Sequence, residues 1–127
     1  MLVSTALRES FPDGVFVAGC PSRTVLDHVM SKWGPLVLLA LADDEPVRWS
    51  ELRRRAEGVS EKMLAQTLRT LVADGFVHRE ARPVVPPHVE YSLTPRGLEL
   101  AALLQPLMVW MVQNAPEILE GAAASQA

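Results

Sequence analysis

Apolar and polar positions follow two different periods along the chain. From Thr24 to Trp33 the apolar residues Val25, Leu26, Val29, Met30 and Trp33 recur at three and four, the spacing of one helix face. A second helix should open after Gly34, because Pro35 is tolerated in a first turn, and "LVLLALA" carries it to Asp43-Asp44. That segment is apolar nearly all round and must lie at the centre of the core. "PVRW" predicts a very short strand. Ser50 then reads as the N-cap of a helix "ELRRRAE" stopped by Gly58, and Ser60 as the N-cap of the next, which ends at Gly75.

Beyond Gly75 the period shifts to two. "FVHREAR" and "HVEYSLT" flank the tip "PVVPP", and Val89, Tyr91 and Leu93 alternate with Glu90 and Ser92, as in a half-buried strand of a two-stranded hairpin. Thr94-Pro95 is an N-cap with proline at the first helical position, so a last helix runs through "GLELAALLQPLMVWMVQ" with a kink expected at Pro106. The ends look different. Residues 1–19 show no sustained period and contain the turn signal "FPDG", which predicts a mobile or interface arm with about one helical turn. The final "EGAAASQA" carries too little apolar bulk to be held down, and residues 116–127 are expected to form a flexible tail.

Two short helices joined by "EGVS", the second followed by a hairpin, form the layout of a winged helix-turn-helix. The fold class is therefore mainly α with a small β-hairpin wing, in one domain over residues 20–115. At about 100° per residue, Ser60, Leu64, Leu68 and Leu71 share one side of the second helix and Lys62, Gln66, Arg69 and Ala73 the other, with Met63 and Thr70 flanking. Glu61 projects nearer the core side, in a first turn where the helix dipole favours an acid. Gln suits the adenine edge and Arg the guanine edge, while Lys62 reaches base or phosphate. Arg53, Arg54 and Arg55 on the preceding helix and Arg79, Arg82 and His88 on the hairpin extend this surface for a phosphate backbone. The same face also fits plain solvation, or a protein-interaction module that keeps the fold without DNA.

Composition narrows the field. With 127 residues and 49% hydrophobic content the chain suffices for one core. Its longest apolar run, "PLVLLALA", is under half the roughly 20 residues that cross a bilayer, so no membrane partner is expected. The N-terminus lacks the features of a secretory signal, and a cytoplasmic protein is expected. Net charge is −3, but Pro46–Arg96 holds nine Lys or Arg against six Asp or Glu, and the remainder three against nine. The basic excess coincides with the candidate recognition surface.

"GCPSRTVLDHVMSKWG", "SxKMLxxxLRxL" (Ser60 to Leu71) and "VPPxVEYxLTxxG" (Val85 to Gly97) together resemble the HxlR-type family of bacterial winged-helix transcription regulators, over about Gly19 to Val112. Trp49 departs from the commoner phenylalanine. The resemblance implies a homodimer on an inverted-repeat operator, with recognition helices in successive major grooves and wings at the flanks. DNA contacts then fall to Ser60, Lys62, Met63, Gln66, Arg69, Thr70, Arg53, Arg54, Arg82 and His88. The last helix is too apolar for one side of a small core, and such leftover surface marks an interface. Leu104, Leu107, Met108, Trp110 and Met111 are expected to meet Phe11 and Phe16 of the other subunit's arm, giving dimerisation elements at both termini.

Cys20, the single cysteine, excludes an internal disulfide or a multi-thiolate metal site. Buried free cysteine is usually inert packing. In several members of the family a cysteine before proline at this place senses oxidants or electrophiles, and Cys20-Pro21 matches it, with Arg23 near enough to favour a thiolate and Asp27 to oppose it. An oxidant, electrophile or small ligand is the effector class that follows. Enzyme readings are poor: His28, His78 and His88 have no metal-ligand spacing, no Gly-rich phosphate loop exists, and Cys20 has no base partner, so no metal or cofactor is expected.

Overall fold

The structure, a computed structural model, describes residues 3–12, 14–43 and 45–126; Asp13 of the "FPDG" turn and Asp44 of the Asp43-Asp44 stop lie outside the described residues. In chain order the elements are α1 (Val3–Ser10), α2 (Pro21–Val29), α3 (Gly34–Ala40), β1 (Val47–Arg48), α4 (Trp49–Arg55), α5 (Glu61–Ala73), β2 (Val77–Arg82), β3 (His88–Leu93) and α6 (Pro95–Gln126).

Helix α3 is the hub, packing against α2, α4, α5 and α6. Its Val37 and Leu38, with Leu41 just beyond, meet Leu52 of α4 and Leu64, Leu68 and Leu71 of α5 in a core from which water is excluded. Each such side chain contributes about 1.5–3 kcal/mol by leaving water. Gly34 makes the close entry into α3 possible, since a Cβ there would collide with the Val29 carbonyl. Helix α2 starts at Pro21, earlier than the apolar period suggests, because proline's fixed φ suits a first helical residue. It stops at Met30, and residues 31–33 form a turn into α3.

The expected hairpin is present as β2 and β3, and the short strand expected at "PVRW", β1, joins it to make a three-stranded sheet with order β1-β3-β2. Val47 and Arg48 pair with Tyr91 and Glu90 of β3, covering an edge that would otherwise leave backbone groups unpaired. This pairing also moves the start of α4. Arg48 is extended (φ −74°, ψ 155°) and serves as the cap residue, the helix begins at Trp49, and Ser50 lies inside the first turn instead of capping it. Thr94 caps α6 as expected: its hydroxyl accepts the Gly97 N–H at 3.1 Å and donates to the Gly75 carbonyl at 2.6 Å, which fastens α6 to the end of α5.

The two termini are more helical than the sequence pattern suggests. Helix α1 makes about two turns, none of it buried, and Arg8 sits 4.8 Å from the centroid of the Phe16 ring. Helix α6 runs as one element through Pro106 and Pro116 to Gln126, over the segment expected as a loose tail. Ala122, Ala123 and Ala124 favour helix there, and the Ser125 hydroxyl bonds the Gly121 carbonyl at 3.0 Å.

Candidate nucleic-acid interface

Helix α5 is set by a local cap and a buried stripe. The Met63 N–H donates to Ser60 Oγ at 3.1 Å, satisfying one of the free donors of the first turn. Leu64, Leu68 and Leu71 are buried together with Thr67, whose hydroxyl donates to the Met63 carbonyl at 2.8 Å. At the far end His28 Nδ1 of α2 lies 2.6 Å from Asp74 Oδ2 and pins the C-terminus of α5 to the body. The helix is thus held along one side and at both ends, while Lys62, Gln66, Arg69 and Ala73 are exposed along the other. Among the described residues neither Lys62 nor Arg69 forms an ion pair.

Arg53, Arg54, Arg55, Arg82 and His88 are engaged by acids. Glu61 does not turn toward the core; it is exposed and binds Arg53 at 3.1 Å, because a first-turn side chain at the open end of the helix faces the neighbouring α4. Arg54 pairs with Glu51, its neighbour one turn back. Arg55 bonds Glu51 at 3.2 Å, Asp43 at 3.3 Å and the Ala40 carbonyl at 2.8 Å, so it braces the α3–β1 connection. On the wing, Glu90 holds Arg82 at 2.9 Å and His88 at 3.2 Å, with Glu80 3.6 Å from Arg82. The Arg82 hydrogen bond, supported by His88, holds the Glu90 carboxyl below the usual carboxylate range against a smaller opposing effect of burial. The arginines of these pairs keep a third or more of their side-chain surface in solvent, where ion pairs are weak, so a phosphate can draw them away.

Strand periodicity separates the wing's cations. Arg82, Glu80, His88 and Glu90 share one face, whereas Arg79 pairs across the ladder with Tyr91 on the face turned to α5. A cleft of about 540 Å³ results there, lined by Trp49, Ala65, Arg69, Val72, Arg79 and Tyr91. Period-two reading from the buried Tyr91 would have singled out Arg79 over Arg82. On the opposite flank of α5 lies a smaller groove of about 180 Å³. Its lining includes Lys32, which the sequence pattern did not single out because it sits in the turn between two helices.

The remaining candidates lie away from α5. Cys20 is buried at the N-cap of α2, its Sγ donating to the Gly14 carbonyl at 2.9 Å and lying 3.2 Å from Ser22 Oγ. The Ser22 hydroxyl lowers the thiol's pKa most, backbone N–H groups at the helix start and the Arg23 charge add to it, and burial, not Asp27, is the opposing influence. Beside it Leu7, Phe11, Val15, Phe16 and Pro21 line an apolar cleft of about 590 Å³. Phe11, Phe16, Leu107, Trp110 and Met111 are exposed on the protomer and Met108 is half-buried. Leu104 corrects the expectation for α6: at 5% exposure it belongs to the protomer's own core, on the same face as Ala101 one turn earlier. Among the described residues no group of three or more His, Cys, Asp or Glu is placed to hold a metal ion.

A family model for HxlR-like helix-turn-helix proteins matches residues 28–118. The chain is 51% identical over 115 residues to YtfH of Escherichia coli K12, described as an uncharacterized HTH-type transcriptional regulator, with 90% of each protein covered. It is similar to the solved structure of a transcriptional regulator, ytfH, from Salmonella typhimurium, at 51% identity and a TM-score of 0.80, over 87% of this chain and 97% of that one. It also resembles the oxidised form of the redox regulator HypR, at 38% identity and a TM-score of 0.67, over 75% of this chain and 97% of that one.

Proposed function

The chain belongs to the family of HxlR-like helix-turn-helix transcriptional regulators, and from that premise we propose that it acts as a homodimer on an inverted-repeat operator, one α5 in each of two successive major grooves. It is a DNA-binding regulator by family; the residue roles are our reading. The observation that carries them is the outer face of α5, where Lys62, Gln66 and Arg69 are exposed and no carboxylate holds Lys62 or Arg69 among the described residues. Gln66 and Arg69 read base edges, Lys62 reaches base or phosphate, and Met63 and Thr70 offer contact at the flank. Ser60, Arg53 and Arg54 meet the backbone at the start of α5, and Arg82 and His88 meet it from the wing once they exchange Glu90 for phosphate.

Dimerisation falls to the exposed apolar surface of α6 against the N-terminal arm of the other subunit, through Leu107, Met108, Trp110 and Met111 with Phe11 and Phe16. Cys20 lies beside that arm. Its lowered pKa and the likeness to HypR support a redox or electrophile sensor acting through the dimer and not through direct DNA contact. No described helix is long and apolar enough to cross a membrane, and the reading places the protein in the cytoplasm with its operator. Titrating purified protein against duplexes from its own promoter and scrambled controls, at several salt concentrations, tests the reading. Tighter, salt-sensitive binding to the promoter supports it; equal or absent binding to both refutes it.

A further inference from the structure

When a helix lies in the major groove, the two phosphate backbones run along its two flanks, because the groove is about 12 Å wide and a helix with its side chains about 10–12 Å across. The flanks of α5 therefore matter as much as its outer face. On the wing side, Arg79 occupies the flank bounded by Ala65 and Val72. On the other side, the groove lined by Met63, Gln66 and Thr70 is closed by Ser31 and Lys32 from the turn between α2 and α3.

We infer that Lys32, together with the Ser31 hydroxyl, forms a phosphodiester-binding site on the flank of α5 away from the wing, clamping the second DNA strand opposite Arg79. The inference rests on the reading of α5 as the major-groove helix. Lys32 differs from Arg53, Arg54, Arg55 and Arg82, all of which are held by carboxylates, in having no ion-pair partner among the described residues. Its Nζ lies 5.4 Å from the centroid of the Trp33 ring, a contact that positions the ammonium without neutralising it. Trp33 itself packs on the core, so the platform is rigid. Ser31 Oγ accepts the Gly34 N–H at 3.1 Å, which fixes the oxygen and leaves its proton free to donate to a phosphate.

Two further charged or titratable groups line the groove. His28 is occupied by Asp74 at 2.6 Å. Asp27 is a carboxylate facing the same space and opposes a phosphate there, which gives the site an internal brake.

The test is a salt titration of the wild type, Lys32→Met, Lys32→Arg and Asp27→Asn on operator and scrambled duplexes. A homodimer carries the site twice, so Lys32→Met should flatten the slope of log affinity against log salt by about 1.8, from about 0.9 per phosphate contact. It should weaken operator and scrambled DNA by the same factor, since a phosphate contact carries no sequence information. Lys32→Arg should restore the slope and Asp27→Asn should raise affinity on both duplexes. Salt-sensitive wild-type binding with an unchanged slope in Lys32→Met, or a loss confined to the operator, overturns the inference and leaves the DNA-binding reading standing. Wild-type protein with no salt-sensitive binding overturns both. Should Lys32→Met fail to fold, as seen in its thermal melt, Asp27→Asn decides: unchanged affinity on both duplexes overturns the site.

Discussion

Replacing Arg69 by alanine isolates base reading from folding. Arg69 is exposed on α5 and makes no ion pair among the described residues, so no buried partner is orphaned. Alanine is the better helix former by a few tenths of a kcal/mol, and the arginine stem loses only modest packing in the cleft with Trp49 and Val72. Stability should change by no more than about 0.5 kcal/mol. Binding is different. A bidentate arginine–guanine pair discriminates by about 1–3 kcal/mol, and at about 1.4 kcal/mol per tenfold this is about 5- to 140-fold per half-site. A symmetric dimer carries the change twice, so the loss on an intact inverted repeat compounds. Fluorescence anisotropy on the operator and on duplexes substituted one base pair at a time should show lost preference at a single position in each half-site, beside an unchanged thermal melt. A uniform loss on every duplex would make Arg69 a phosphate contact only. Preserved discrimination with a lowered melting temperature would refute the assignment altogether.

Glu90→Gln releases Arg82 and His88 on the wing and should raise affinity for scrambled DNA and steepen its salt slope; a mutant no tighter than wild type excludes the wing as a phosphate contact. Because Glu90's folded pKa is depressed by Arg82, its stabilising contribution is complete above the usual carboxylate range and is lost as pH falls through the lowered value, so the stability gap between wild type and Glu90→Gln should hold at neutral pH and close on acidification in denaturant melts. Cys20 should alkylate with a pH midpoint below that of a free thiol, and diamide or a quinone should change operator affinity of wild type but not of Cys20→Ser; equal behaviour of the two removes the sensor role. Light scattering at micromolar concentration should find a dimer in wild type and a monomer in Trp110→Glu, whereas Leu104→Ala should cost about 2–5 kcal/mol of stability as a core truncation; a monomeric wild type refutes the proposed interface.

The sequence pattern was most informative where local chemistry decides the outcome. Ser60 at the start of α5 and the leucines at 64, 68 and 71 follow from capping and helical period, which act within a few residues. Long-range pairing was hidden. Ser50 has a capping side chain, yet Arg48 is committed to β3 through its pairing with Glu90, and the helix starts one residue past it. The position of Glu61 depends on Arg53 of another helix, and no wheel drawn for α5 alone contains it. Leu104 and Leu107 both read as apolar on α6; only the packing of α3 beneath that helix separates a core residue from an exposed one. Lys32 carries no periodic signal, since its place on the flank of α5 comes from the α2–α3 turn folding back on a segment some thirty residues later.

The central claim is that two α5 helices, held by one dimer, enter successive major grooves. It is tested most directly by measuring affinity for inverted repeats that share the same half-sites but differ in the spacing between them. Affinity should peak at a half-site separation of about one helical turn, 10–10.5 base pairs or a multiple of it, and collapse toward the scrambled-duplex value when about half a turn is inserted. Affinity that is independent of spacing, or equal for one half-site and two, would contradict it.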